Sequence, residues 1–161
     1  MIIPASPKSQ YISHKREIDS AIKNVLNSES YVLGQQVKSF EKEFSAYIGN
    51  KFSVGVANGT DALEIALKTI GIKAGDEVIT VSHTAIATAA AVANSGATNI
   101  LVDIETDFYT IKTNELPKVL TSKTKAVIAV HLYGQSADLD ELLKFCKKNN
   151  LYLIEDVSQA H

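Results

Sequence analysis

Asp156 follows the apolar run Leu151, Tyr152, Leu153 and Ile154, with Glu155 between. Such a run is long enough for one buried strand. An acid at the carboxyl end of a strand stands where open α/β folds bind their ligands. It can hold a positive charge there, for example a protonated ring nitrogen. Gln159 comes three residues later. A second candidate is GVANGTD, residues 55–61, between a strand-like and a helix-like segment. Gly59 lets the backbone come close to a ligand. A helix starting near Thr60 offers unpaired N–H groups and the positive end of its dipole, which suit a phosphate, and Thr60 adds a hydroxyl donor. The spacing matches neither G-x-G-x-x-G nor the P-loop, so nicotinamide dinucleotides and ATP lose their usual sequence support. Asp61 would repel a phosphate, so its carboxylate is expected to point away or to bond a neighbouring backbone N–H.

Two more stretches complete the set. Ser82-His83-Thr84-Ala85 also follows a strand-like run. There His83 is the residue to face a ligand, and Ser82 or Thr84 is expected to cap the next helix. His131-Leu132-Tyr133-Gly134-Gln135 makes a turn after another run, with His131 or Tyr133 placed to line a pocket. Taken singly, each stretch has an ordinary structural reading as a cap or a turn. Together they all follow strands, and in a parallel sheet such tips converge on one crevice.

The elements that must position them read as an α/β chain. Strands are predicted over 52–57, 77–81, 98–102, 126–131 and 151–154, with helices over 60–70, 84–94, 114–120 and 139–148 between them. Alternation of this kind predicts a mainly parallel sheet with helices on both faces, a three-layer α/β/α arrangement. Strand order cannot be read from the pattern. Before this region, Pro4 and Pro7 predict an extended arm over 1–10. Two amphipathic helices follow, one marked by Ile18, Ala21, Ile22, Val25 and Leu26 with Ser13 as N-cap. The other is marked by Val37, Phe40, Phe44, Tyr47 and Ile48 and ends at residues 49–50, with Tyr31 on the loop between the two. The expected division is therefore 1–51, an arm and two helices, and 52–161, a ligand-binding region. Asp138 should cap the last helix, and Cys146 on that helix reads as a buried structural thiol.

The totals narrow the class. A chain of 161 residues with 45% hydrophobic and 21% charged residues fits a globular protein with a sizeable core. A net charge of −2 gives no electrostatic reason to expect nucleic acid or an anionic membrane as partner. One cysteine permits no internal disulfide. The N-terminus lacks a signal-peptide pattern, and the Ala-rich stretch 85–93 is too short to span a bilayer. A soluble cytoplasmic protein without a metal site is expected.

The runs GVANGTDALEIAL, GDEVITVSHTAIAT, TKAVIAVHLYGQSADLDEL and LIEDVSQAH, with SYVLGQQVKSFEKEFSAYIG before them, resemble the DegT-type sugar-nucleotide aminotransferases. These are pyridoxal-phosphate enzymes of the aspartate aminotransferase superfamily, fold type I. The resemblance covers nearly the whole chain, which would be part of the family's large domain. It implies pyridoxal 5'-phosphate as cofactor. Gly59 and Thr60 match the family's phosphate-binding turn, Asp156 the acid that pairs with the pyridine nitrogen, and Gln159 the residue near the ring hydroxyl. Residues 82–85 match the loop covering one face of the ring. Many members carry an aromatic residue at the position of Ala85. Alanine cannot stack, and His83 is the candidate to supply that face. Tyr31 and Gly34 match a segment near the sugar-nucleotide site, and His131 and Tyr133 match a family turn taken here as substrate-binding.

The implied activity is amino transfer from an amino acid, with glutamate as expected donor, to a nucleotide-linked keto-deoxysugar, in a homodimer. The family's Schiff-base lysine lies in a motif downstream of Asp156 and Gln159, beyond His161. No lysine in the chain stands in a matching context, so the chain is expected to be an inactive N-terminal fragment with no catalytic residue of its own. Two alternatives share these residues: a pyridoxal-phosphate sugar dehydratase, in which a histidine replaces the lysine, and a non-catalytic member that binds a sugar nucleotide or a partner.

Overall fold

The computed structural model describes residues 5–160, which form two compact units, one up to Gly55 and one from Val56 on. The first unit holds helices α1 (Pro7–Ser13), α2 (Lys15–Asn27) and α3 (Gln35–Ile48). The expected arm is therefore corrected. Residues 1–4 lie outside the described residues, and a helix starts at Pro7. Proline is suited to a first turn, where no N–H is needed and a fixed φ helps. The Ser6 hydroxyl oxygen accepts from the Ser9 N–H at 3.4 Å and caps the turn. Ser13 does not cap α2: its hydroxyl donates to the Gln10 carbonyl at 2.8 Å and closes α1. Gly49 ends α3 in the left-handed region, φ 76°, as the stop signal predicts. The helices keep apolar side chains on their surfaces, among them Ile22, Leu26, Phe40 and Tyr47, and Phe40 stacks on Phe44 at 5.5 Å.

Residues 52–57 are not a strand. Phe52 and Val54 are 75% and 76% exposed, and the Gly55 N–H donates to the Glu41 carboxylate at 2.7 Å. Alternating apolar residues set which way side chains face, but a strand also needs a neighbour to pair with. Among the described residues this segment has none.

The second unit runs α4 (Gly59–Thr69), β1 (Glu77–Val81), α5 (Ile86–Asn94), β2 (Thr98–Val102), α6 (Leu116–Val119), β3 (Thr124–Val130), α7 (Leu139–Asn149), β4 (Tyr152–Asp156). The sheet order is β2-β1-β3-β4 and every pairing is parallel. From β1 the chain passes through α5 to β2 on one side. It then crosses back over β1 to β3, and goes on through α7 to β4. Right-handed connections that run in opposite directions lie on opposite faces. Thus α5, with α4 packed on it, covers one face, and α6 and α7 cover the other. The core is made by residues such as Leu67, Val78, Ile79, Val92, Ile128 and Leu142, all without solvent contact.

Connections leave β1 and β3 in opposite directions, so the gap between their carboxyl ends is the topological switch point where such sheets bind ligands. Here β4 reaches two residues further than predicted. Asp156 still pairs with Val130, and its carbonyl accepts the His131 N–H at 3.0 Å. The 103–113 connection is held by one antiparallel bridge between Ile104 and Ile111. The helix predicted over 114–120 shrinks to a 3₁₀ turn followed by the single turn of α6, with Pro117 in that first turn.

Asp138 caps α7 as predicted, its carboxylate accepting the Glu141 N–H at 3.1 Å. Asp138→Ala is expected to cost about 1 kcal/mol, measured by chemical denaturation. Cys146 is 3% exposed, and burial pushes its thiol up to about 11. The folded protein is expected to resist a thiol reagent at pH 8 that labels the unfolded chain once. The unfolded thiol ionises at about 8.5. The cysteine's effect is therefore absent below that pH, and it lowers stability progressively as pH rises from there towards 11.

Candidate active site

A cavity of about 250 Å³ opens at the carboxyl ends of β1, β3 and β4. Its walls include Gly59 and Thr60 from the start of α4, Thr84 and Ala85 after β1, and Asp156, Ser158 and Gln159 from the end of β4. Gly59, Thr60, Asp156 and Gln159 come from segments as much as a hundred residues apart in sequence. The switch point brings them to one place.

Asn58 fixes the start of α4. Its side-chain oxygen accepts the Asp61 N–H at 2.9 Å, and its amide donates to the Asp61 carboxylate at 3.1 Å. The acid that would repel an anion is thus held by a side-chain amide, outside the cavity wall. Gly59 and Thr60 occupy the first two helical positions, whose N–H groups have no acceptor within a helix. A Cβ on Gly59 would stand 3.2 Å from the Ser158 hydroxyl oxygen, so the glycine is there for space.

Asp156 is oriented from two sides. One carboxylate oxygen accepts the Ser158 N–H at 3.1 Å and the Ser158 hydroxyl at 2.6 Å. The other accepts the Thr88 hydroxyl at 3.4 Å, and Thr88 meets the Thr84 hydroxyl at 3.1 Å. A carboxylate has about four acceptor positions, so capacity remains for a donor in the cavity. Ser158 and Thr88 are absent from the sequence reading. Ser158 has a local signal, since an acid bonding the N–H two residues on is a common turn. Thr88 has none, because its partner is a strand away. Thr84 does not cap α5, whose first turn has no side-chain cap.

Gln159 accepts the Tyr133 N–H at 2.7 Å on its side-chain oxygen, leaving its amide as a donor. His131 lies in the cavity wall but is only 4% exposed. Its Nδ1 accepts the Ala137 N–H at 3.0 Å, which leaves Nε2–H to donate to Glu155 at 3.0 Å. Both nitrogens are engaged, and the ring braces the 131–137 turn against β4. His83 is not part of the wall. Its ring meets Tyr133, with Nε2 and the phenol oxygen 3.3 Å apart. Tyr133 is 68% exposed at the rim. Tyr31 and Gly34 sit on the α2–α3 turn of the first unit. There the Tyr31 hydroxyl donates to the Leu26 carbonyl at 2.9 Å. A Cβ on Gly34 would meet the Ser30 carbonyl oxygen at 2.7 Å.

The arrangement offers N–H and hydroxyl donors on one wall and an oriented carboxylate on another. It suits a ligand with an anionic group at one end and a protonated nitrogen at the other. Among the described residues, none in the wall is a lysine.

The chain is similar to sugar aminotransferases of known sequence and structure. The dTDP-3-amino-3,6-dideoxy-alpha-D-galactopyranose transaminase of Aneurinibacillus thermoaerophilus is 44% identical over 148 residues, 92% of this chain and 41% of that protein. The crystal structure of Streptomyces venezuelae DesV superposes with a TM-score of 0.94 at 43% identity, over 96% of this chain and 42% of DesV. NtdA of Bacillus subtilis, solved with bound cofactor PMP, superposes with a TM-score of 0.89 at 31% identity, over 92% of this chain and 34% of NtdA. The chain therefore spans about 41% of the length of the curated relatives it matches, and its parallel sheet is that of the fold type I aminotransferases. The sequence profile of the DegT/DnrJ/EryC1/StrS aminotransferase family matches residues 13–161, and the chain belongs to that family.

Proposed function

We propose that this chain anchors the cofactor of a pyridoxal-phosphate transaminase that moves an amino group from an amino acid to a nucleotide-linked keto-deoxysugar. Glutamate is the expected donor. The observation that carries the reading is that Gly59, Thr60 and Asp156 line one cavity. The residues fit pyridoxal phosphate. The Gly59 and Thr60 N–H groups would take the phosphate, Asp156 the ring nitrogen and the Gln159 amide the ring hydroxyl. Bound pyridoxal phosphate supplies an electron sink for the donor's α-carbon. Asp156 would keep the ring nitrogen protonated by its charge, and Thr88 and Ser158 hold that carboxylate in place.

Among the described residues the cavity wall has no lysine, and this reading assigns the cofactor-linked lysine to residues outside 1–161. The 161 residues alone are then expected to bind the cofactor without turnover. Homodimer formation belongs to the same reading, supported by the exposed Ile22, Leu26, Phe40 and Tyr47 of the first unit. Among the described residues no helix is long and apolar enough to cross a membrane.

The test uses the complete enzyme with ¹⁵N-glutamate and a nucleotide-linked keto-deoxysugar. Mass spectrometry should find the labelled nitrogen on the sugar. A product that has lost a hydroxyl without gaining nitrogen would identify a dehydratase. Binding without any conversion would identify a non-catalytic member.

A further inference from the structure

Three aromatic side chains meet at the rim of the cavity, from three separate segments. His83 follows β1, Tyr109 lies in the connection after β2, and Tyr133 follows β3. Their ring centroids are 6.1–6.2 Å apart pairwise, and Tyr109 meets Tyr133 edge to face at 82°. Tyr109 is 48% and Tyr133 68% exposed, so the cluster is not core.

Both tyrosines sit in the left-handed region, each with φ 59°, a conformation that bulky residues rarely adopt. Their local frames hold them there. The Tyr109 N–H donates to the Glu105 carbonyl and the Glu105 N–H to the Thr110 carbonyl, both at 2.8 Å, with Thr110 and Ile111 buried beneath. The Tyr133 N–H is taken by Gln159 at 2.7 Å, which ties the cluster to the cavity wall. Strain retained in two places, both presenting a ring at the same spot, points to a use for the rings.

We propose that His83, Tyr109 and Tyr133 form an aromatic wall that packs against the sugar ring of the substrate. This rests on the transaminase reading above. The reacting carbon belongs to the sugar and must reach the cavity, so the sugar is the part of the substrate beside the rim. A deoxysugar presents C–H groups and a methyl that suit aromatic faces. The diphosphate does not lie here, because the Tyr109 segment carries Asp103, Glu105 and Asp107. His83 is thereby a residue of the sugar wall and not a cover for the cofactor ring.

The test compares Tyr109→Ala, Tyr109→Phe and Tyr109→Asn in the complete enzyme. Amino transfer from the donor to the cofactor, followed by absorbance, should be unchanged in all three. KM for the nucleotide sugar should rise about 3- to 10-fold in Tyr109→Ala and Tyr109→Asn, and stay within about twofold in Tyr109→Phe. Asparagine tolerates the left-handed region, so Tyr109→Asn should melt no lower than the parent and separate lost binding from lost folding. An unchanged KM in Tyr109→Ala, with donor transfer intact, overturns the wall alone. A fall in donor transfer in Tyr109→Ala also overturns it, since the ring would then serve the cofactor. A parent enzyme that transfers nothing from any amino acid overturns the transaminase reading, and the wall falls with it.

Discussion

Asp156→Asn in the complete enzyme is expected to lower kcat by about 10- to 1,000-fold, the span of a one- to three-unit change in the pKa of a group beside an opposite charge. Asparagine nearly preserves shape, so cofactor affinity should change far less than turnover. The side chain loses its charge, while its oxygen can still accept from Ser158 or Thr88. On the proposed reading, the ring nitrogen would then lose the group that keeps it protonated. The comparison of kcat with the absorbance of the bound cofactor separates a lost charge from a lost ligand. A variant with kcat within twofold of the parent would remove Asp156 from the chemistry.

Gly59→Val should have the second large effect, on binding. The added Cβ would lie 3.2 Å from the Ser158 oxygen, and the branched methyls would crowd the N–H groups offered to the phosphate. Each hydrogen bond to a charged group is worth about 1.5–3 kcal/mol, so losing one predicts a cofactor Kd weakened by roughly 10- to 100-fold. The glycine's φ is not in the left-handed region, so the backbone itself accepts a side chain. The melting temperature of the cofactor-free protein should therefore change little. A lower cofactor-free melting temperature with unchanged Kd would mean that Gly59 serves packing alone. Ser158 also holds Asp156 at 2.6 Å, so a displaced Ser158 should lower kcat as well.

Four of the strands and most helices of the second unit are legible because their periodicity is backed by real neighbours. Residues 52–57 mislead for the reverse reason: Phe52, Val54 and Val56 alternate correctly, but nothing among the described residues pairs with them. Pro7 misleads because proline forbids a helix interior yet favours its first turn. The convergence of Gly59, Thr60, Asp156 and Gln159 follows from their positions after strands or beside helix starts. Strand order, which makes β1 and β3 neighbours and so creates the crevice, has no local signal. His131 has the right residue type for a site, but ring type does not reveal that Ala137 and Glu155 occupy both its nitrogens. Tyr109 is illegible because its value lies in a backbone conformation and in two rings brought from elsewhere.

The central claim is that one cavity holds the phosphate at Gly59 and Thr60 and the ring nitrogen at Asp156. A crystal structure of the complete protein with pyridoxal phosphate bound tests it most directly. The account predicts phosphate oxygens about 2.7–3.2 Å from the Gly59 and Thr60 nitrogens and the ring nitrogen about 2.7–2.9 Å from the Asp156 carboxylate. A phosphate seated away from the start of α4, or a ring nitrogen turned away from Asp156, would contradict it.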